Sequence, residues 1–292
     1  SMSRKKTAII LTVGFLIGIS VLLYPVVSDY WNSKTQTRAI VNYESVLEGL
    51  NAEEYTAMLD AAHKYNKELY ETGDALLCYD SVAGYNETLC LDRTSSMMGY
   101  LKIERIGVEL PIYHGTSDSV LAIGVGHLEG SSLPIGGKNT HCVLSAHRGL
   151  PSSKLFTDLD RMEIGDTFQI TVLDQILTYQ VDLIQTIEPT EIEHLKIIDG
   201  ADYCTLFTCT PYGINTHRLL VRGVRSETIV EKPVIYVANE AFRIEPLLVT
   251  PAVAAPMLFV FLIHLLVKYQ EPPKKKEEKK GDTENEAKMD HS

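Results

Sequence analysis

The chain has 292 residues, 45% of them hydrophobic and 22% charged, with a formal net charge of −11. That length accommodates one sizeable core or two small ones. The acidic balance, with no basic stripe away from the two ends, argues against a nucleic-acid partner, since phosphate binding needs clustered Lys and Arg.

Residues 1–6 form a short basic start, Arg4-Lys5-Lys6, ahead of an uncharged apolar run over 7–27. The run matches the roughly 20 residues that a helix needs to cross a bilayer core. Its end, Tyr24-Pro25-Val26-Val27, offers no small-residue cleavage site, so an uncleaved transmembrane helix is expected. Residues 28–72 read as a helical extension. Val46, Leu47, Leu50, Tyr55, Met58, Leu59, Ala62, Tyr65 and Leu69 recur near the 3.6-residue period. Asn51 with Glu54 three residues on is a capping box, which predicts two helices here. Residues 73–98 lack a sustained period and carry Gly, Asp and Asn, an irregular stretch of the kind that serves a site.

From 99 to 226 the pattern is short strands with Gly and Pro punctuation: Tyr100–Ile106, Val108–Tyr113, His141–Ala146, Phe168–Leu173, Leu177–Ile184, Asp202–Cys209 and Arg218–Val224. That predicts a mainly β barrel or sandwich. A connector over 227–246 leads to a second uncharged run, 247–267, interrupted only by Pro251, Pro256 and His264. It reads as a second transmembrane helix, prolines being tolerated there. Residues 268–292 are rich in Lys, Glu and Asp and read as a disordered tail. Basic residues flank both apolar runs, which predicts cytoplasmic termini and an extracytoplasmic domain between two anchors.

Three residues share one kind of position. Cys209 ends the strand Thr205-Leu206-Phe207-Thr208-Cys209, His147 follows the strand ending at Ala146, and Arg218 opens the last strand. A thiol nucleophile, an imidazole to manage protons and a guanidinium for a developing oxyanion make up a cysteine acyl-transfer set. Five cysteines are present, an odd number, which leaves at least one unpaired thiol. No zinc-type Cys/His spacing and no phosphate-binding glycine loop appear, so neither metal nor organic cofactor is expected.

Taken together these segments resemble the sortases, which carry Thr-Leu-x-Thr-Cys with an upstream His and a downstream Arg. The likeness extends to the class C, pilus-type branch through Tyr113-His-Gly-Thr, Gly126-His-Leu-Glu-Gly, His147-Arg-Gly-Leu-Pro-Ser and the run from Cys209 to Gly223. The resemblance implies an eight-stranded sortase β-barrel with N-terminal helices, flanked by two transmembrane helices. It also implies an extracytoplasmic cysteine transpeptidase at the cell membrane of a Gram-positive-type bacterium. Cys209 would cleave an LPXTG-like sorting signal between Thr and Gly through a thioester. A pilin lysine would then resolve the thioester to an isopeptide bond. His147 would serve as acid and base, Arg218 as oxyanion partner, and Thr208 as a substrate contact. The alternatives are a housekeeping sortase that anchors surface proteins to the cell wall, or a non-catalytic sortase-like scaffold.

One departure stands out. Class C sortases present an Asp-Pro-aromatic anchor from a lid before the barrel, and residues 73–98 contain no Asp-Pro. This lid-like segment holds Cys78 and Cys90, a candidate disulfide pair in this compartment. Cys142 and Cys204 each lie five residues before a catalytic residue. The odd offset places them on the opposite strand faces, close together behind the site as buried thiols.

Overall fold

The computed structural model describes residues 4–73, 76–78, 82–91, 96–227, 256–264 and 268. Two compact units are present, residues 1–22 with 244–292, and residues 23–243.

Helix α1 (Arg4–Glu48) carries the expected apolar run, of which residues 7–22 belong to the first unit. Among the described residues this is the one helix long and apolar enough to cross a membrane, with a mean hydropathy of 2.4 and none of that stretch buried. Of the second expected span, residues 256–264 are helical. The rest of 247–267 lies outside the described residues, as do 228–246 of the connector and 269–292 of the tail.

The second unit holds the remainder of α1, helix α2 (Ala52–Thr72) and the barrel. Asn51 caps α2 as its sequence predicts: its side chain accepts from the Glu53 and Glu54 amides, and Glu54 reaches back to the Asn51 amide at 3.1 Å. Gly73, at φ 78°, ends the helix in a conformation that suits glycine. Ala62, Tyr65 and Leu69 form the buried stripe of α2. On α1, Asp29, Asn32, Gln36, Ile40, Tyr43 and Leu47 recur every three or four residues, so one face meets the barrel.

Eight strands close the barrel in the order β1-β2-β3-β4-β7-β8-β6-β5. They are β1 (Met97–Ile103), β2 (Val108–His114), β3 (Val125–His127), β4 (Thr140–Ser145), β5 (Thr167–Val172), β6 (Gln175–Ile187), β7 (Asp202–Thr210) and β8 (His217–Arg225). Two pairs, β2/β3 and β4/β7, are parallel. Seven of the strands coincide with the alternating segments of the sequence. The eighth, β3, is three residues long around Gly126 and too short to show a period. A Cβ at Gly126 would lie 2.4 Å from the Gly115 carbonyl oxygen, so glycine is what lets this strand enter the sheet.

The barrel core is apolar, built from Leu101, Ile103, Ile112, Leu144, Phe168, Tyr179, Leu206 and Val221 among others. Phe168 and Tyr179 stack with ring centroids 5.6 Å apart. Gly223 passes beside this pair, where a Cβ would sit 2.8 Å from the Phe168 ring and from the Tyr179 Cβ. Alternation then sorts β4, β7 and β8 into two faces. Cys142, Leu144, Cys204, Leu206, Leu219 and Val221 point into the main core. Val143 and Leu220, with Phe207 against them, belong to a separate patch that includes Ile187 and Leu195.

Candidate active site

Cys209 and Arg218 fall on the second of these faces. In the β7/β8 ladder Cys209 is directly opposite Arg218. In the parallel β4/β7 pair Ser145 is opposite Phe207, and the Ala146 amide donates to the Phe207 carbonyl at 3.3 Å. Cys209 is the next residue on that face of β7, and His147 follows two residues after β4 ends, so the three residues lie at or next to the ends of three adjacent strands. All three are half-buried, anchored at the main chain yet open to a ligand.

Local contacts fix each of them. Arg218 Nη1 donates to the carbonyls of Asn215 and His217 at 3.1 and 3.0 Å, which tethers one arm of the guanidinium to the β7–β8 turn. The Phe156 amide donates to the His147 carbonyl at 3.1 Å. Arg148 ties the loop after His147 to the loop after Cys209. Its Nη1 donates to Thr210 Oγ1 at 3.1 Å, its Nε donates to the Thr157 carbonyl at 3.2 Å, and its Nη2 pairs with Asp160. Gly149 lets the two loops close, since a Cβ there would lie 2.9 Å from the Tyr212 ring. Arg148 was not singled out by the sequence, because its partners lie up to 62 residues away.

Thr208 requires a correction. It is 1% exposed, and its hydroxyl donates to the Ala146 carbonyl at 2.8 Å. It faces into the barrel because alternation turns it away from Cys209. Rather than touching substrate, Thr208 fastens the end of β7 to the residue before His147.

The buried thiols lie where the offset places them. Cys142 and Cys204 are register partners and buried at 2% and 0%. Burial pushes the Cys204 thiol well above the usual range, so it stays protonated. Arg222, four residues beyond Arg218 on the same face, is occupied structurally. It forms a two-point pair with Asp182 at 3.1 and 2.7 Å and lies 4.3 Å from the Tyr203 ring centroid.

His141 received no role from the sequence, and its structure gives it one. It is fully buried beneath the segment before β7. Its Nδ1 lies 2.8 Å from the Lys196 carbonyl and its Nε2 lies 2.7 Å from Thr205 Oγ1. The carbonyl can only accept, so Nδ1 carries the proton and Nε2 accepts from Thr205. Burial lowers this imidazole from 6.5 to about 4, with Arg222 adding to the effect and Asp182 opposing it. As pH falls the unfolded chain therefore takes this proton first. The stabilisation is complete above pH 6.5 and is lost between 6.5 and 4, by about 3 kcal/mol. Melting temperatures across this range should fall more steeply for the native protein than for His141→Gln, and equal slopes would remove the assignment. His114, also lowered by burial, acts in the same direction in both proteins.

The segment before the barrel is docked by other means than Asp-Pro. Tyr85 Oη lies 2.9 Å from His127 Nδ1, donates to the His127 carbonyl at 3.0 Å and accepts from the Gly115 amide at 2.9 Å. Val82 and Leu89 join the main core. Upstream, Leu76 packs on the patch of Val143, Ile187, Leu195 and Leu220 that also receives Phe207, two residues before Cys209.

Known proteins share this fold. The Sortase domain model matches residues 101–226. The crystal structure of sortase C1 from Streptococcus agalactiae is 46% identical, with a TM-score of 0.61, and the match covers 65% of this chain and 98% of that one. The chain belongs to the sortase family, in its class C branch. A sortase C from Clostridium perfringens, solved with the C-terminal cell wall sorting motif, is 43% identical with a TM-score of 0.57, over 65% of this chain and 99% of that one. Sortase A of Streptococcus agalactiae is 29% identical over 138 residues, 45% of this chain and 54% of that protein. The chain thus matches about half the length of that curated relative.

Within the sortase barrel, the match spans β1 from Leu101 onward through β8. The helices and the segment over 73–98 precede it.

Proposed function

We propose that this chain is an extracytoplasmic cysteine transpeptidase that cuts an LPXTG-like sorting signal between Thr and Gly and joins pilin subunits through lysine isopeptide bonds. The observation that carries this is Cys209 directly opposite Arg218 in the β7/β8 ladder, with His147 two residues beyond the end of β4, the parallel neighbour of β7. Class C membership and a relative solved with a sorting motif support the substrate class.

In this reading the Cys209 thiolate attacks the Thr carbonyl carbon. Negative charge on the carbonyl oxygen is met by the Arg218 Nε and Nη2 donors, the arm not held by the turn. Collapse of the intermediate breaks the C–N bond, and His147 gives its proton to the leaving Gly amine. The lysine ε-amine then attacks the thioester, returns a proton to His147 and expels the thiolate. Each residue ends as it began, and no cofactor is needed. The chain would be held by membrane helices at 7–27 and 247–267, with both termini cytoplasmic.

The test is incubation with a backbone pilin. SDS-resistant ladders are expected with the native protein and none with Cys209→Ala. Attachment to cell-wall precursor alone would replace this reading with a housekeeping one, and no product with either substrate would favour a scaffold.

Residues 73–98 act in this scheme as a lid whose apolar plug is Leu76. A substrate peptide lying along the Val143, Phe207 and Leu220 patch competes with that side chain. Leu76→Asp should therefore lower KM for a sorting peptide and speed its hydrolysis, leaving the melting temperature nearly unchanged. Unaltered kinetics would refute the plug.

A Cys78–Cys90 disulfide would staple the same lid. Cys78 is exposed and Cys90 half-buried. A loop of this size gains about 3 kcal/mol on chain-entropy grounds. Peptide mapping of the unreduced protein should recover the two cysteines on one linked fragment. Alkylation of both in the native protein would dismiss the staple.

A further inference from the structure

A cavity of about 300 Å³ lies between α2, the segment over 82–87 and the connection from β3 to β4. One turn shapes its outer wall. Gly84, at φ 90°, bends the chain, and the Thr88 amide and hydroxyl both donate to the Gly84 carbonyl, at 3.1 and 2.7 Å. The Thr88 carbonyl meets His114 Nε2 at 2.8 Å, which pins the turn to β2. Tyr85 is anchored through its hydroxyl to His127 and Gly115, so its ring is fixed in the wall. Asn86 and Glu87 follow, exposed on the same turn. Glu129 closes the barrel side, its Oε1 3.4 Å from where a Gly115 Cβ would sit.

The wall is chemically one-sided. Glu87 and Glu129 bring two carboxylates, and no Lys or Arg is among the described lining residues. Tyr65 on α2 is a second, independent sign of a ligand. It is 4% exposed and lines the same cavity, yet its hydroxyl has no hydrogen-bond partner among the described residues. A buried polar group left without a partner is costly, and a ligand donor removes that cost. Burial, with the charge of Glu129 adding to it, pushes this hydroxyl up to about 12. It therefore keeps its proton at neutral pH, and its oxygen is still free to accept. The Tyr65 and Tyr85 rings, with centroids 6.2 Å apart, add aromatic faces of the kind that attract cations.

We propose that this cavity binds a primary alkylammonium, with Glu87, Glu129 and the Tyr65 hydroxyl taking its N–H donors and the tyrosine rings covering its carbon chain. The three donors of an ammonium rotate to serve acceptors on separate elements, whereas the flat fork of a guanidinium suits one carboxylate edge. Calcium takes roughly six to eight oxygens, more than this wall supplies. A lysine side chain of another polypeptide and a free amine share the ammonium chemistry. No lining residue belongs to the loops of His147, Cys209 or Arg218, so the ligand binds here without reacting. Bound, it joins α2, the turn over 84–88 and the β3–β4 connection. The site does not depend on the transpeptidase reading.

Isothermal titration calorimetry of the full-length protein in detergent micelles, with no sorting peptide present, tests this. The ligands are n-butylamine, N-acetyl-lysine methylamide, n-butylguanidine and butyltrimethylammonium. Saturable binding is expected for at least one of the first two, and binding about tenfold weaker or less for butyltrimethylammonium, which has no N–H. Tyr65→Phe and Glu129→Gln should each weaken the amine by about tenfold or more. Melting temperatures equal to the native one verify folding, and Tyr65→Phe, which keeps the ring, decides alone if Glu129→Gln does not fold. Tighter binding of the lysine derivative assigns the ligand to a polypeptide, and tighter binding of butylamine assigns it to a free amine. No saturable binding by either, unchanged affinity in either folded variant, or tighter binding of butylguanidine than of both amines would each overturn the proposal.

Discussion

Cys209→Ala is expected to abolish both cleavage and joining of sorting-signal peptides, by about 10⁴-fold or more, while the melting temperature barely moves. The side chain sits at a strand end, half-buried and outside the hydrophobic clusters, so losing its sulfur opens no core cavity. The other thiols on the barrel offer no substitute. Cys142 and Cys204 point into the core on the reverse faces of β4 and β7, and burial keeps the Cys204 thiol protonated. Cys142→Ala should accordingly retain activity, at a cost in stability. Turnover surviving in Cys209→Ala, measured by peptide cleavage and by joining to an amine acceptor, would dismiss the nucleophile.

Arg218→Ala should lower kcat by about 10²–10³-fold, the usual effect of removing one oxyanion donor, equivalent to about 3–4 kcal/mol. KM should change little, because the charge that Arg218 meets exists only in the transition state. Arg218→Lys should recover little of the loss. Nη1 is committed to the Asn215 and His217 carbonyls, and the guanidinium serves a second partner only because it is forked. A lysine has one nitrogen for both tasks. Steady-state kinetics of the two variants decide the matter. A raised KM with intact kcat would make Arg218 a ground-state binding residue instead.

What the sequence made legible was local. The capping box at Asn51 and Glu54, the alternation of the longer strands and the strand-end positions of His147, Cys209 and Arg218 are each written within a few residues. The parity argument for Cys142 and Cys204 held for the same reason: strand alternation is a local rule, and the family motif brought the two strands together. Thr208 was misjudged by ignoring that rule, since a neighbour of Cys209 in a strand must face the other way. The short β3 has no period to read. Arg148, His141 and Tyr85 each need a partner 42–64 residues away, so only the closed barrel reveals their roles. The docking contacts of the segment before the barrel were not legible, because a leucine on an apolar patch and a tyrosine on a histidine leave no signature in an irregular stretch.

The position of Arg148 adds a consequence for the chemistry. The loops after His147 and after Cys209 are braced by the Arg148–Thr210 bond and by the Gly149–Tyr212 contact. His147 and Cys209 are thus followed by loops that share one joined rim.

The most direct test of the transpeptidase account is intact-mass analysis of the protein quenched in acid during turnover of an LPXTG-like peptide. The account predicts an adduct equal to the peptide fragment ending in Thr, attached to Cys209, removed by hydroxylamine and absent in Cys209→Ala. Cleavage that proceeds with no such adduct, or an adduct mapped to another cysteine, would contradict it.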